Sequence, residues 1–288
     1  MRVALVGANG QLGSDLMRAL GGHDLFPFRH ADFDVRDTQA ARSSLTAVRP
    51  DVVINTAAFH KVEECEVQPA TAFAVNAVAA AALAAAAREL GAQYVFISTD
   101  YVFGGSNVGP LTEEVPPAPL NVYGVSKVAG ERLVQLAYPE ALIVRSSGLY
   151  GVAGAAGKGG NFIQTVVRLA REKGEMRMVN DQRLSPTYTA DLARAIADLV
   201  SREVTGVLHV TNSDSCSWFE LARHVVSLAG ISAAINPCTT AEIGSPVRRP
   251  AYSVLENARW QALGLSPLRP WRDAVRGYLA AMGLVPRT

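Results

Sequence analysis

Apolar and polar positions in the first half of the chain follow two alternating rhythms. Short apolar runs, often β-branched, at 3–6, 24–28, 52–54, 94–98 and 141–144 read as buried strands. Helical spacing covers 12–20, 36–48 and 69–90, and returns in the stretch carrying Tyr123 and Lys127. Strand and helix taken in turn is the sequence form of a parallel α/β sheet. The segment 104–120, rich in Gly and Pro, reads as a surface loop able to line a site. After Tyr150 the rhythm changes. Residues 151–160, mostly Gly and Ala, read as a loop; helices follow at 162–172, 190–200 and 218–229, and strands at 176–179 and 206–210. The pattern divides the chain into a larger α/β domain, 1–150, and a mainly separate, smaller α/β lobe, 151–288. Chain crossings between the two are left open.

Composition changes this picture little. Of 288 residues, 49% are hydrophobic and 18% charged, as in an ordinary globular protein. The net charge of +1 supplies no electrostatic reason for nucleic acid or a membrane surface as partner. The alanine-rich run 77–87 is short for a bilayer span and is followed by Arg88 and Glu89, so it reads as a buried helix. The first strand starts almost at Met1, leaving no room for a leader. Cys65, Cys216 and Cys238 are far apart with no CxxC pair, which argues against a disulfide framework or zinc site and for a reducing cytoplasmic location.

Candidate chemistry begins at the first turn. Gly7, Gly10 and Gly13 lie between a strand and a helix. Such a turn needs glycine to bend sharply and to let a pyrophosphate approach the backbone, with the helix N-terminus facing the phosphates. This predicts a Rossmann-type, doubly wound dinucleotide-binding sheet, with 151–288 as the substrate lobe. An acidic residue ending the second strand would favour NAD. Phe28-Arg29-His30 stands there instead, and Arg29 suits a 2′-phosphate. NADPH is therefore expected, with NADH open and a solvated Arg29 the alternative. Asp34 and Val35 fall at the adenine edge, where Asp34 could equally be a turn residue or a helix cap.

Tyr123 and Lys127 stand four apart and project from one helix face. A phenol with a pKa of about 10 is a poor proton carrier at neutral pH. A neighbouring ammonium and a positive nicotinamide both favour phenolate. Lys127 can also reach the nicotinamide ribose. Thr99 ends the preceding strand, where ligands of open α/β sheets bind, and can hold the carbonyl being reduced.

The glycine loop, STDYVFGG and NVYGVSK together resemble extended short-chain dehydrogenases/reductases that act on sugar nucleotides. NTAAFHKVEECE, PLNVYGVSKVAGE, VVRLAREKGEMRMVNDQRLSPTY and RRPAYSVLEN extend the resemblance to about Asn257, and make it closest to the dTDP-4-dehydrorhamnose reductase family. The resemblance implies Thr99, Tyr123 and Lys127 as the catalytic group. It implies cofactor contacts from Gly7, Asn9, Gly10, Gln11, Leu12, Gly13, Ala57, Ala58 and, on the long helix, Asn76. Asp100, Asn161, Gln182 and Arg249 would face the nucleotide sugar with Thr99 and Tyr123. The implied reaction is hydride transfer from NADPH or NADH to C4 of a nucleotide-linked 4-dehydro-6-deoxyhexose, giving dTDP-L-rhamnose in the closest case. Two departures stand out: Gly148 replaces the family's usual tryptophan, and Gly104 replaces a frequent acidic residue. Asp100-Tyr101 lacks the second carboxylate of the related 4,6-dehydratases. An epimerase of the same superfamily and a non-catalytic subunit, like the regulatory subunit of methionine adenosyltransferase, are the alternatives. Glu63, Glu64 and Glu66 read as an exposed helix start or loop, not a metal site. The Mg²⁺ linked to some family members at a subunit interface and a homodimer are both left open.

Overall fold

The computed structural model describes residues 1–104, 109–154 and 160–285. The first half runs β1 (Arg2–Val6), α1 (Gln11–Ala19), β2 (Asp24–Phe28), α2 (Thr38–Val48), β3 (Val52–Asn55) and α3 (Val62–Val67). A single helical run follows, made of α4 (Pro69–Phe73), a π-helical stretch (Ala74–Ala79) and α5 (Ala80–Glu89). Then come β4 (Gln93–Thr99), α6 (Val122–Ala137) and β5 (Leu142–Ser146). The second half contains α7 (Phe162–Lys173), β6 (Glu175–Val179), β7 (Arg183–Leu184), α8 (Thr189–Ser201), β8 (Gly206–His209), β9 (Cys216–Ser217) and α9 (Trp218–Leu228). It ends with β10 (Ala234–Cys238), α10 (Thr240–Ile243), β11 (Tyr252–Ser253), α11 (Ala258–Ala262) and α12 (Trp271–Ala281).

Six parallel strands form the main sheet in the order β2-β1-β3-β4-β5-β8. Alternation along each strand supplies two cores. Val3, Leu5, Val52, Ile54, Val95 and Val144 face α1 and α8 on one side, where Leu16, Leu192 and Ile196 pack. Ala4, Val6, Val53, Tyr94, Phe96 and Ile143 face Leu45 of α2, Leu83 of α5 and Val134 of α6 on the other. Pro69–Glu89, at 21 residues, is long and apolar enough to cross a bilayer by composition, but half of it is buried inside this fold.

The division after Tyr150 does not separate the sheet: β8 pairs with β5, and α8 covers the face shared with α1. Beyond these crossings, α7, α9 and α12 build a further core around Tyr150, Tyr188, Trp271 and Tyr278. Two small sheets, β10-β6 and β11-β7-β9, accompany it. Of these short strands only β6 stands out in the sequence pattern. Residues 155–159 of the expected loop at 151–160 lie outside the described residues, as do 105–108 of the loop 104–120.

Candidate active site

The sheet order reverses between β1 and β3, and the loops leaving their carboxyl ends open a cleft of about 930 Å³. One end is a phosphate cradle. Gly7 has φ +84°, and a Cβ there would fall 2.6 Å from Thr56 Oγ1. At Gly13 a Cβ would lie 2.3 Å from the Gly7 carbonyl oxygen, so α1 packs directly on the turn. Gly10 caps α1 without a side-chain hydrogen bond, which leaves the first-turn N–H groups for an anion. The residues present therefore fit a dinucleotide. Asn9, Gln11, Leu12, Ala57 and Ala58 line the same cleft.

At the rim stand Arg29, Phe33, Asp34 and Val35. Asp34 is a turn residue: its Oδ1 accepts from the Arg36 backbone N–H (2.9 Å), while Asp37 caps α2. The Arg36 guanidinium forks onto the same carboxylate, with Nε 3.0 Å from Oδ1 and Nη2 2.5 Å from Oδ2. That pairing holds the Asp34 carboxyl down to about 2. The Arg29 side chain is exposed at this edge.

Thr99, Tyr123 and Lys127 all line this one cleft. Asn121 sets the start of α6, its Oδ1 accepting from Gly124 N (2.8 Å) and its Nδ2 donating to the Arg248 carbonyl (2.9 Å). Glu66 on α3 accepts from Val122 N at 2.8 Å. The Thr99 hydroxyl accepts from Tyr101 N (3.2 Å) and donates to Asp100 Oδ1 (3.1 Å). Lys127 is 1% exposed; its Nζ donates to the Ile97 carbonyl (2.6 Å) and lies 4.0 Å from the Phe96 ring centroid. Burial draws its pKa down to about 7, opposed by the charge of Glu131. Burial likewise pushes the Tyr123 phenol well above its usual value, opposed by its contact with the Thr99 hydroxyl. The expected lowering of the phenol by its neighbour is thus outweighed by desolvation in the free protein.

A model of one family, described as the RmlD substrate binding domain, matches residues 1–284. The chain belongs to this family. Within it, the spore coat polysaccharide biosynthesis protein SpsK of Bacillus subtilis is 41% identical, the match covering 96% of each chain. The dTDP-4-dehydrorhamnose reductase of Streptomyces griseus is 39% identical over 95% of this chain and 91% of that one. Among solved structures, dTDP-4-dehydrorhamnose reductase of Bacillus anthracis in complex with NADP superposes with a TM-score of 0.93 at 36% identity, over 97% of this chain and 99% of that one.

Four of the residues that the family resemblance implied stand in the structure as follows. Asn76 does not line the cleft. It is fully buried in the π-helical stretch, donates to the Phe59 carbonyl (2.9 Å) and Ser126 Oγ (3.0 Å), and accepts from Phe59 N (2.8 Å). It therefore braces the loop after β3 instead of touching what the loop holds. Arg249 also stands outside the lining; it pairs with Glu63 and donates to Ser245 Oγ (2.5 Å), while its neighbour Pro250 reaches the cleft. Asp100 lines the cleft with a carboxylate already engaged, accepting from Ser147 (2.9 Å) and Ser253 (2.6 Å) besides Thr99. Asn161 lines it too, but its side chain closes a capping box on α7 and donates to the Gly151 carbonyl (2.8 Å).

Gln182 lines the cleft and donates to Thr240 (2.9 Å). Gly148 has φ +53°, and a Cβ would meet Leu184 Cδ1 at 2.6 Å, so a side chain there would be strained and would require Leu184 to shift. The aromatic wall comes instead from Phe162 and Trp218, ring centroids 4.5 Å apart, neither singled out by sequence reasoning. Ser147 and Ser253 were missed as well; neither carries a local signal, and Ser253 lies 153 residues from the carboxylate it meets. Glu63, Glu64 and Glu66 are engaged in ion pairs and hydrogen bonds. They hold Arg249, Lys61 and the start of α6, and among the described residues no three His, Cys, Asp or Glu converge for a metal ion.

Proposed function

We propose that this chain reduces the C4 ketone of a nucleotide-linked 4-dehydro-6-deoxyhexose, with dTDP-4-dehydro-L-rhamnose as the first substrate to test. The carrying observation is the meeting of Thr99, Tyr123 and Lys127 in a cleft whose other end is a glycine cradle fit for a dinucleotide. The bound nicotinamide supplies the hydride. Tyr123, kept protonated by burial, donates its proton to the oxygen that becomes the alcohol. Thr99 turns its hydroxyl from Asp100 to that oxygen, while Ser147 and Ser253 retain the Asp100 carboxylate. Lys127, held on the Ile97 carbonyl, supplies the positive charge that favours the phenolate left behind.

NADPH is the preferred cofactor in this reading. Arg36 occupies the one acidic group at the adenosine edge, and Arg29 remains exposed for a 2′-phosphate. Residues 1–150 hold the dinucleotide, and Asn161, Gln182, Phe162 and Trp218, all beyond Tyr150, flank the sugar nucleotide. Three buried cysteines, none of them in a disulfide, suit a cytoplasmic enzyme. Gly148 favours a second reading, in which the sugar is a different 4-dehydro-6-deoxyhexose.

The test mixes purified protein with dTDP-4-dehydro-L-rhamnose and follows NADPH and NADH oxidation with product analysis. Oxidation matched by dTDP-L-rhamnose formation is expected. Interconversion of sugars without net cofactor oxidation would instead make the chain an epimerase. Cofactor binding without any turnover of a panel of 4-dehydro sugars would make it a binding subunit.

A further inference from the structure

Beneath the catalytic strand end lies a buried ionic group that the reaction as described does not use. Glu131 on α6 and Arg145 on β5 are 3% and 4% exposed. Arg145 forks onto the carboxylate, Nε to Oε1 at 2.9 Å and Nη2 to Oε2 at 2.7 Å. Ser98, the residue before Thr99, donates its hydroxyl to Oε1 at 2.5 Å. On the far side, Arg145 Nη1 approaches His209 Nε2 of β8 at 3.4 Å, and His209 Nδ1 faces the carbonyls of Leu111 (3.0 Å) and Glu256 (3.1 Å). Two acceptors at Nδ1 keep the proton there, so Nε2 accepts from Arg145. Apolar side chains could join these four elements without removing two charges from water.

We infer that Glu131 is a positioning residue for the reduction: through Ser98 it ties the strand end bearing Thr99 to the helix bearing Tyr123 and Lys127, and its carboxylate, one helical turn from Lys127, holds that ammonium in its charged form over the Ile97 carbonyl. The inference rests on the reductive reading above. The ionisable groups around Lys127 are Tyr123 and Glu131 on α6, Asp100 after β4, Arg145 on β5 and His209 on β8; the ionic influence that reaches Lys127 is that of Glu131. Arg145 balances the carboxylate, and His209 braces Arg145 while staying neutral, its pKa drawn down to about 3 by burial and the neighbouring guanidinium.

The chain has four lysines, so the Lys127 ¹³Cε resonance can be assigned and titrated in the free, selectively labelled protein. Glu131→Gln alone strands Arg145, so the decisive protein is the double variant Glu131→Gln, Arg145→Met. Its Lys127 midpoint is expected to fall by about one pH unit relative to wild type. Its kcat is expected to drop by about tenfold or more, with KM for NADPH nearly unchanged. Ser98→Ala, which loses the tether and keeps the charge, should lower kcat without moving the midpoint. Glu131→Asp retains the charge, so its midpoint stays with wild type even if the double variant does not fold. A midpoint unmoved in the folded double variant, or displaced equally in Glu131→Asp, overturns the role assigned to the charge. Wild-type kcat in Ser98→Ala overturns the tether. Because the titration needs no substrate, failure of the reductive reading in the turnover assay is a separate result.

Discussion

At the scale of single residues, the chemistry depends on which protons are held at neutral pH. Burial keeps Tyr123 a phenol, so removing its hydroxyl removes the proton donor. Tyr123→Phe is expected to lose about 10²- to 10⁴-fold in kcat while retaining NADPH affinity, measured by turnover and calorimetry. Burial draws Lys127 down to about 7 from the usual 10.5. Rising pH strips the ammonium that the reaction uses, so kcat/KM for NADPH, which reports the free enzyme, should fall above about 7. A flat profile through pH 9 would count against Lys127. For stability the sign is opposite: between about 7 and 10.5 the unfolded chain binds the extra proton, so this group's contribution to stability rises with pH. At the cleft rim Arg29 is exposed and Arg36 is committed to Asp34. Arg29→Ala should therefore weaken NADPH binding by about 1–2 kcal/mol and leave NADH unchanged, as in one lost charge-assisted contact. Equal losses for both cofactors would remove Arg29 from the 2′-phosphate.

Elements turn those residues into a site, and α6 bears most of that work. Asn121 caps its first turn and also holds the Arg248 carbonyl, which joins Tyr123 to the chain leading into β11. Asn121→Ala should cost about 1–2 kcal/mol in urea unfolding and lower kcat by more than the stability loss accounts for. Unchanged kcat in the folded variant would mean that Glu66, bonded to Val122 N, holds the helix start alone. How far this was legible follows from the range of the interactions. The strands, the glycine turn and the Tyr123–Lys127 face show in the sequence because each rests on local period or local turn geometry. Asn76 was named only through the family resemblance, and no local pattern announces the π-helical stretch in which it is buried against the Phe59 backbone. Arg249 looked like a diphosphate ligand because no local feature announces Glu63, which is 186 residues away in sequence. Glu131 was readable in part, four residues beyond Lys127 on the same face, but Arg145 became its partner only when β5 came to lie beside β4.

On the scale of the whole molecule, the second half of the chain completes the first. The side chains of Leu192, Ile196 and Leu199 on α8 fill the core over β1 and β3, and β8 covers the open edge of β5. Burying each such side chain stabilises by about 1.5–3 kcal/mol, so these three rival much of the roughly 5–15 kcal/mol that a folded protein retains. The phosphate cradle depends on the same return. Gln11, at the start of α1, accepts from Gly151 N (2.9 Å) and from Asn161 Nδ2 (3.2 Å), and Asp15 accepts from Thr189 Oγ1 at 2.5 Å. Residues 1–150 expressed alone should therefore keep helical far-ultraviolet dichroism, lose fixed near-ultraviolet signal, bind a hydrophobic dye and fail to bind NADPH. Cooperative melting and NADPH binding by that fragment would make the first half an autonomous domain and reduce α8 and β8 to a covering. If the fragment fails as expected, the cofactor and sugar sites share one folding unit, and damage at Thr189 should reach the phosphate turn through Asp15 without touching either ligand.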